Sequence, residues 1–122
     1  MSNPFFFMEL GSNDPVKARE FYKEMFDWKY EEHPMGEQSY TVIKTGEGPD
    51  GGIFKNPVPE APSHWLLYIR VDDIKSVTSK AEELGAKVHK EVTDAGEHGK
   101  FCVIEDPTGA VFALWQEPKK TN

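Results

Sequence analysis

One near-repeat limits what this chain can fold into more than any other feature. EGPDGGIF runs from Glu47 to Phe54, and EDPTGAVF from Glu105 to Phe112, fifty-eight residues later. Both read as an acid, a proline, a glycine after the turn, and an apolar pair ending in Phe. A turn into a strand is stated twice, so the chain is read as two copies of one module.

The flanking sequence supports that reading. PFFFMELGSND is an apolar strand running into a helix start. Asp14 can cap the helix, and Pro15 suits the first helical position, where a missing N–H does no harm. Ala18, Phe21, Tyr22 and Met25 then recur at helical spacing. HWLLYIRVDD repeats the scheme and ends in Asp72 and Asp73. Ile74, Val77, Ala81 and Leu84 form the next stripe, and Gly85 stops it. Three strand-like segments follow each helix: KYEEH, SYTVIKT and GGIFKN, then KVHKEVT, GKFCVIED and AVFALWQ. In this reading Gly51 and Gly109 serve the same turn. The organisation is βαβββ twice, over 4–57 and 64–117, in one 122-residue domain. Residues 58–63 link the modules. The stretch Asn56–Ser63 carries three prolines, which predicts an extended, stiff connection.

Charge and cysteine usage narrow the function classes. The net charge is −7 with no basic stripe, so nucleic acid and anionic membranes are not expected partners. NPFFFMEL is too short to span a bilayer and lacks a basic leader region. The single cysteine, Cys102, cannot form an internal disulfide, and its apolar run KFCVIED reads as buried. A reducing, cytoplasmic location is expected. EPKKTN, from Glu117 to Asn122, reads as a polar tail. No phosphate loop, nucleophile elbow or dinucleotide fingerprint is present.

Paired βαβββ modules, with NDPVKAREFYKEMFDW, VDDIKSVTSKAEELGAKV and EDPTGAVFALWQ, resemble the vicinal oxygen chelate superfamily. That superfamily includes glyoxalase I, extradiol dioxygenases and bleomycin-resistance proteins, and this chain looks most like its small glyoxalase-like members. The resemblance implies an α+β fold in which the two modules form a cup-shaped, incompletely closed mixed β-barrel. It also implies a homodimer. Metal enzymes of the family place His or Glu ligands on the first and last strands of each module. Counting seven residues back from Asp14 and from Asp73 lands on Phe7 and Leu66. The last-strand position of the second module falls on Ala113, and that of the first lies near Lys55. Phe, Leu and Ala cannot bind a metal, so no metal residues and no cofactor are expected.

Alternation along the strands supplies the remaining candidates. Phe5, Phe7 and Glu9 share one face of the first strand. His64, Leu66, Tyr68 and Arg70 share a face in the second module, as do Ala113 and Trp115 with Val111. These faces are expected to line the cup, and Phe6, Met8, Leu10, Trp65, Leu67, Ile69, Phe112 and Leu114 to pack under the helices. Glu9 stands out, because an acid among Phe7, Met8 and Leu10 needs a partner or a raised pKa. It reads either as a base or ligand anchor, or as a structural partner for Arg70 or Tyr68. Tyr68 and Trp115 can stack on a flat molecule or fill a core.

The leading expectation is a small-molecule binder without the usual metal ligands, holding an aromatic or amphipathic ligand. One alternative is a lyase, isomerase or dioxygenase-type enzyme, with Glu9 as base or with an irregular divalent-metal site built from Glu9 and His64. Another is a structural or regulatory dimer with a vestigial cup.

Overall fold

The computed structural model describes residues 2–35 and 38–118. The expected polar tail is described only through residue 118. Two compact units divide the chain: Phe7–Leu66, and Leu67–Asn122 together with Met1–Phe6. Among the described residues no helix is long and apolar enough to cross a membrane.

Both modules have the βαβββ order that the repeat predicts. The first contains β1 (Phe5–Ser12), α1 (Pro15–Met25), β2 (Lys29–Met35), β3 (Gln38–Lys44) and β4 (Asp50–Lys55). Its strands lie in the order β2-β3-β4-β1, antiparallel except for the parallel β1–β4 pair. The second contains β5 (His64–Arg70), α2 (Ile74–Glu83), β6 (Lys87–Asp94), β7 (Lys100–Glu105) and β8 (Val111–Gln116). Its order is β5-β8-β7-β6, with β5 and β8 parallel. Both helices start as expected. Asp14 accepts from the Lys17 amide at 3.1 Å, and Asp73 from the Ser76 amide at 3.2 Å. Each cap satisfies a donor that the helix cannot satisfy internally.

Each unit has its own core under its own helix. In the first, Leu10, Ile43 and Ile53 pack with Ala18, Tyr22, Trp28 and Tyr30. In the second, Val71, Ile74, Cys102, Ile104 and Leu114 pack with Ile69, Val77, Ala81 and Phe112. Leu10, Ile69, Phe112 and Leu114 therefore lie where alternation put them. Phe6 does not. Its ring stacks on Trp115 at 6.3 Å. The cause lies just upstream, where the Arg70 amide donates to Pro4 O at 3.1 Å and Asn3 Nδ2 donates to Arg70 O at 3.0 Å. These bonds tie the start of the chain to the end of β5.

The proline-rich connection is a folded turn rather than an extended spacer. Asn56 is 2% exposed, and its side-chain amide donates to the carbonyls of Ala61 and Pro62 at 3.1 and 3.3 Å. Its Oδ1 accepts from the Val58 amide at 3.1 Å. Prolines supply no N–H, so the segment folds around one side chain that can both donate and accept.

The repeat itself needs a correction in phase. β4 opens at Asp50 and β8 at Val111, so these strands correspond at a spacing of 61 residues, not 58. The glycine equivalent to Gly109, with φ +99°, is Gly48, with φ +74°. Gly51 lies inside β4 instead, where a Cβ would press on the Met8 carbonyl. The β6–β7 hairpin is the longer of the two. Five residues separate Asp94 from Lys100, and a 3₁₀ turn at Gly96–His98 occupies them, whereas two separate Met35 from Gln38.

Candidate functional site

In the first unit, the β1 pleat sets Phe7, Glu9 and Gly11 on one face. Parallel pairing places Asp50, Gly52 and Phe54 of β4 beside them. Tyr40 comes from β3, next along the sheet, and reaches over Gly52 so that its hydroxyl donates to Glu9 Oε2 at 2.7 Å. Gly52 makes this possible, because the Tyr40 phenol occupies the space a Cβ there would need. The Tyr40 and Phe54 rings lie 5.9 Å apart. Phe54 and His64 each come within 3.7 Å of the position a Cβ on Gly11 would take. Glu9, Tyr40, Phe54 and His64 thus form a continuous row along one face.

His64 is exposed, and its Nδ1 lies 3.0 Å from Pro62 O. A carbonyl oxygen only accepts, so Nδ1 carries the proton and Nε2 of the neutral ring is an acceptor. The Glu9–Tyr40 bond is charge-assisted, of the short O–H···O⁻ kind. Chemically, the row offers an anion, a phenol, an aromatic edge and an imidazole acceptor.

Sequence reasoning singled out Phe7, Glu9 and His64 here and missed Tyr40 and Gly52. Two signals were available. A glycine inside a strand often marks a close approach by another group. In SYTVIK, the period of two sets Tyr40 and Val42 opposite buried Thr41 and Ile43.

In the second unit, Tyr68 and Ala113 are register partners, and so are Arg70 and Trp115. Trp115 meets Tyr68 edge-on at 6.0 Å and stacks near Phe101 at 6.4 Å, with Phe6 on the same indole. Ala113 is 0% and Tyr68 6% exposed, so this face is closed to solvent. Arg70 Nη1 lies 3.3 Å from Glu117 Oε1. That pair lines a polar hollow of about 320 Å³ that also includes Asp72 and Gln116. Leu66 is half-buried, and Phe5 stands 63% exposed.

The register also changes which residue of the first unit corresponds to Ala113. Glu9 and Tyr68 each precede their capping aspartate by five residues, and their partners are Gly52 and Ala113. Gly52, rather than Lys55, is therefore the counterpart of Ala113. Lys55 instead sends its Nζ to Asn13 O at 2.8 Å. Among the described residues, no three His, Cys, Asp or Glu side chains gather closely enough to hold a metal. His33 lies 3.7 Å from Glu31, His89 2.7 Å from Glu105, and His98 3.9 Å from Glu97. The Cys102 thiol is 0% exposed. Burial pushes its pKa up, against a hydrogen bond with Thr78.

A sequence profile of the glyoxalase-like domain matches residues 7–115. Among curated proteins, CFP32 of Mycobacterium tuberculosis, provisionally named a glyoxylase, is 34% identical over 107 residues, covering 87% of this chain and 41% of that protein. The anthracycline biosynthesis protein DnrV of Streptomyces peucetius is 25% identical over 124 residues, covering 89% and 45%. The chain thus spans about two fifths of the length of these curated relatives. Methylmalonyl-CoA epimerase from Mycobacterium tuberculosis superposes with a TM-score of 0.72 at 12% identity, covering 94% of this chain and 88% of that one. At that identity the likeness is one of fold.

Proposed function

The chain belongs to the glyoxalase-like domain family, and from that premise we propose that it binds a small aromatic or amphipathic molecule on the Glu9 face of its first unit without a metal ion. The observation that carries the proposal is the Glu9–Tyr40 pair, held at 2.7 Å across Gly52 with Phe54 and His64 continuing the row. Glu9 anchors a donor group of the ligand, while Phe54 and Tyr40 offer ring surface for stacking. Phe7, Leu66, Ala113 and Gly52, at the four positions where family enzymes carry ligands, have no donor side chain, so the residues present do not fit that metal. Tyr68 and Ala113 are buried, and the proposal does not rest on them. DnrV, whose name places it in anthracycline biosynthesis, supports a planar polycyclic ligand.

The test is calorimetric titration of chelator-treated protein with 1,8-dihydroxyanthraquinone. Saturable binding is expected, weakened about ten- to a hundredfold in Glu9→Gln and in Tyr40→Phe, the range for hydrogen bonds to a charged group. No binding, or binding indifferent to both substitutions, would overturn it. The same short bond also favours an enzymatic reading, because a phenol and a carboxylate in contact can pass a proton, leaving Glu9 as base in a lyase or isomerase. Turnover that survives Glu9→Gln would exclude Glu9 from that role.

A further inference from the structure

His64 stands at the far end of the Glu9 row, and the chain holds its ring from behind. The Pro62 carbonyl, 3.0 Å from His64 Nδ1, is itself braced, because Asn56 Nδ2 donates to the carbonyls of Ala61 and Pro62 at 3.1 and 3.3 Å. Two more bonds tie this turn to the end of β1. Asn13 Nδ2 donates to Ala61 O at 3.1 Å, and the Asn13 amide donates to Ser63 Oγ at 2.9 Å. From the end of β4, Lys55 Nζ donates to Asn13 O at 2.8 Å, and the Asn56 amide donates to Ser12 O at 2.8 Å. The carbonyl beside the imidazole is therefore set by both strands that carry the ligand face. Gly11 gives the ring its place. With no side chain there, His64 Cε1 and Phe54 Cε1 each come within 3.7 Å of the position a Cβ would take.

This bracket decides the chemistry of the other nitrogen. A backbone carbonyl cannot donate, so the bond to Pro62 O keeps the proton on Nδ1 and leaves Nε2 with its lone pair. His64 is exposed and makes no other hydrogen bond among the described residues. Glu9 and Gly11 are alternate residues of β1, and such residues lie about 6.6 Å apart along an extended strand. Over that span lies Phe54, whose ring is 5.9 Å from that of Tyr40. The row thus has an acceptor at each end and ring surface between them. A molecule polar at one end only would cover the imidazole without matching it, which costs the desolvation of Nε2. A flat molecule with a donor on each side of its apolar body matches both ends.

Resting on the Glu9 face as the ligand site, we propose that His64 Nε2 is its second anchor, so that the site selects planar aromatic molecules bearing hydroxyl or amino donors at two opposite edges, one donor for Glu9 and one for His64.

Calorimetric titration of the full chain with 1,5-dihydroxynaphthalene and with 1-naphthol tests it, because the two molecules differ by one donor. The diol is expected to bind the wild type about fivefold or more tighter than 1-naphthol, the weight of one added hydrogen bond. In His64→Phe the diol should fall to the affinity of 1-naphthol. The affinity of 1-naphthol itself should match the wild type, which shows that the variant keeps its face. A diol without advantage, or an advantage that survives His64→Phe, would overturn the inference. The ligand site would still stand in that case, since 1-naphthol reports on it separately through Glu9→Gln. Failure of both molecules to bind the wild type would overturn the ligand site and this inference with it. Long-range proton–nitrogen NMR of the free protein supplies a check that needs no ligand. His64, assigned by its loss in His64→Phe, is expected to show a protonated Nδ1 and a bare Nε2. A proton on Nε2 instead would overturn the inference.

Discussion

The two units are the same module solved twice, and their last turns show how differently the entry to one strand can be held. Before β4, Thr45 opens the turn, and its hydroxyl donates to the carbonyls of Glu47 and Pro49 at 2.8 and 3.1 Å. Before β8, Asp106 opens it, and its Oδ1 accepts from the amides of Thr108 and Ala110 at 2.8 and 3.1 Å. Both side chains bind two and four residues ahead, one as a donor and the other as an acceptor. The turn backbone differs too, since Gly46 has φ +101° where Pro107 stands, and the polarity of the side-chain bonds reverses. The strand faces of the two units diverge as well. Glu9 and Gly52 stand where Tyr68 and Ala113 stand, so one unit presents a carboxylate under a phenol and the other a filled aromatic cluster. What the fold fixes is the strand positions; the chemistry sits in a few side chains on them.

The largest test of this equivalence uses the cores. Ile53 and Leu114 correspond at the 61-residue spacing, and both are at most 4% exposed. Each truncation to Ala is expected to cost about 2–5 kcal/mol by urea denaturation. If only one proved costly, the two strands would not be equivalent.

A smaller effect sharpens the contrast between the faces. Gly52→Ala places a methyl group where the Tyr40 phenol lies, and is expected to destabilise by about 1–3 kcal/mol. In a Tyr40→Ala background that cost should nearly vanish, since the colliding ring is gone. An unchanged cost in both backgrounds would show that the strand, not Tyr40, demands glycine.

The smallest effect separates the turns by pH. The Thr108 hydroxyl, then the Ala110 and Thr108 amides, hold the Asp106 carboxyl below its ordinary value. Because the folded value is the lower one, the associated stability is present above the ordinary carboxylate range. It is lost as pH falls through the folded value. Amide exchange at Thr108 and Ala110, read by NMR down an acid series, is expected to quicken in that window. Asp106→Asn should flatten the response, and the Thr45 turn should show none from this source. A response surviving Asp106→Asn would assign it to another group.

Most of the fold was legible in the sequence because it is written in local signals. Asp14 and Asp73 cap, Pro15 and Gly85 punctuate, and apolar spacing switches from helix to strand. The phase of the repeat was not legible. EGPDGGIF and EDPTGAVF align by their letters at 58 residues, but the strands they open correspond at 61, and an odd shift changes which side chains share a face. The true counterpart of Ala113 thereby moved from Lys55 to Gly52. Phe6 was misplaced because the bonds that redirect it run from Asn3 and Pro4 to Arg70, sixty-odd residues away in sequence. Glu9 and His64 were legible as isolated polar residues on apolar strands. Tyr40 was not, because nothing in SYTVIKT says that its hydroxyl crosses a neighbouring strand to reach a carboxylate.

The central proposal is that the first unit binds its ligand through Glu9 and Tyr40 without a metal ion. Its most direct test is the melting temperature of chelator-stripped protein titrated with Mn, Fe(II), Co, Ni and Zn, beside Glu9→Gln. Binding to the folded state must raise the melting temperature. The account predicts a flat response for both proteins. A saturable rise in the wild type that disappears in Glu9→Gln would contradict it and place a metal beside Glu9.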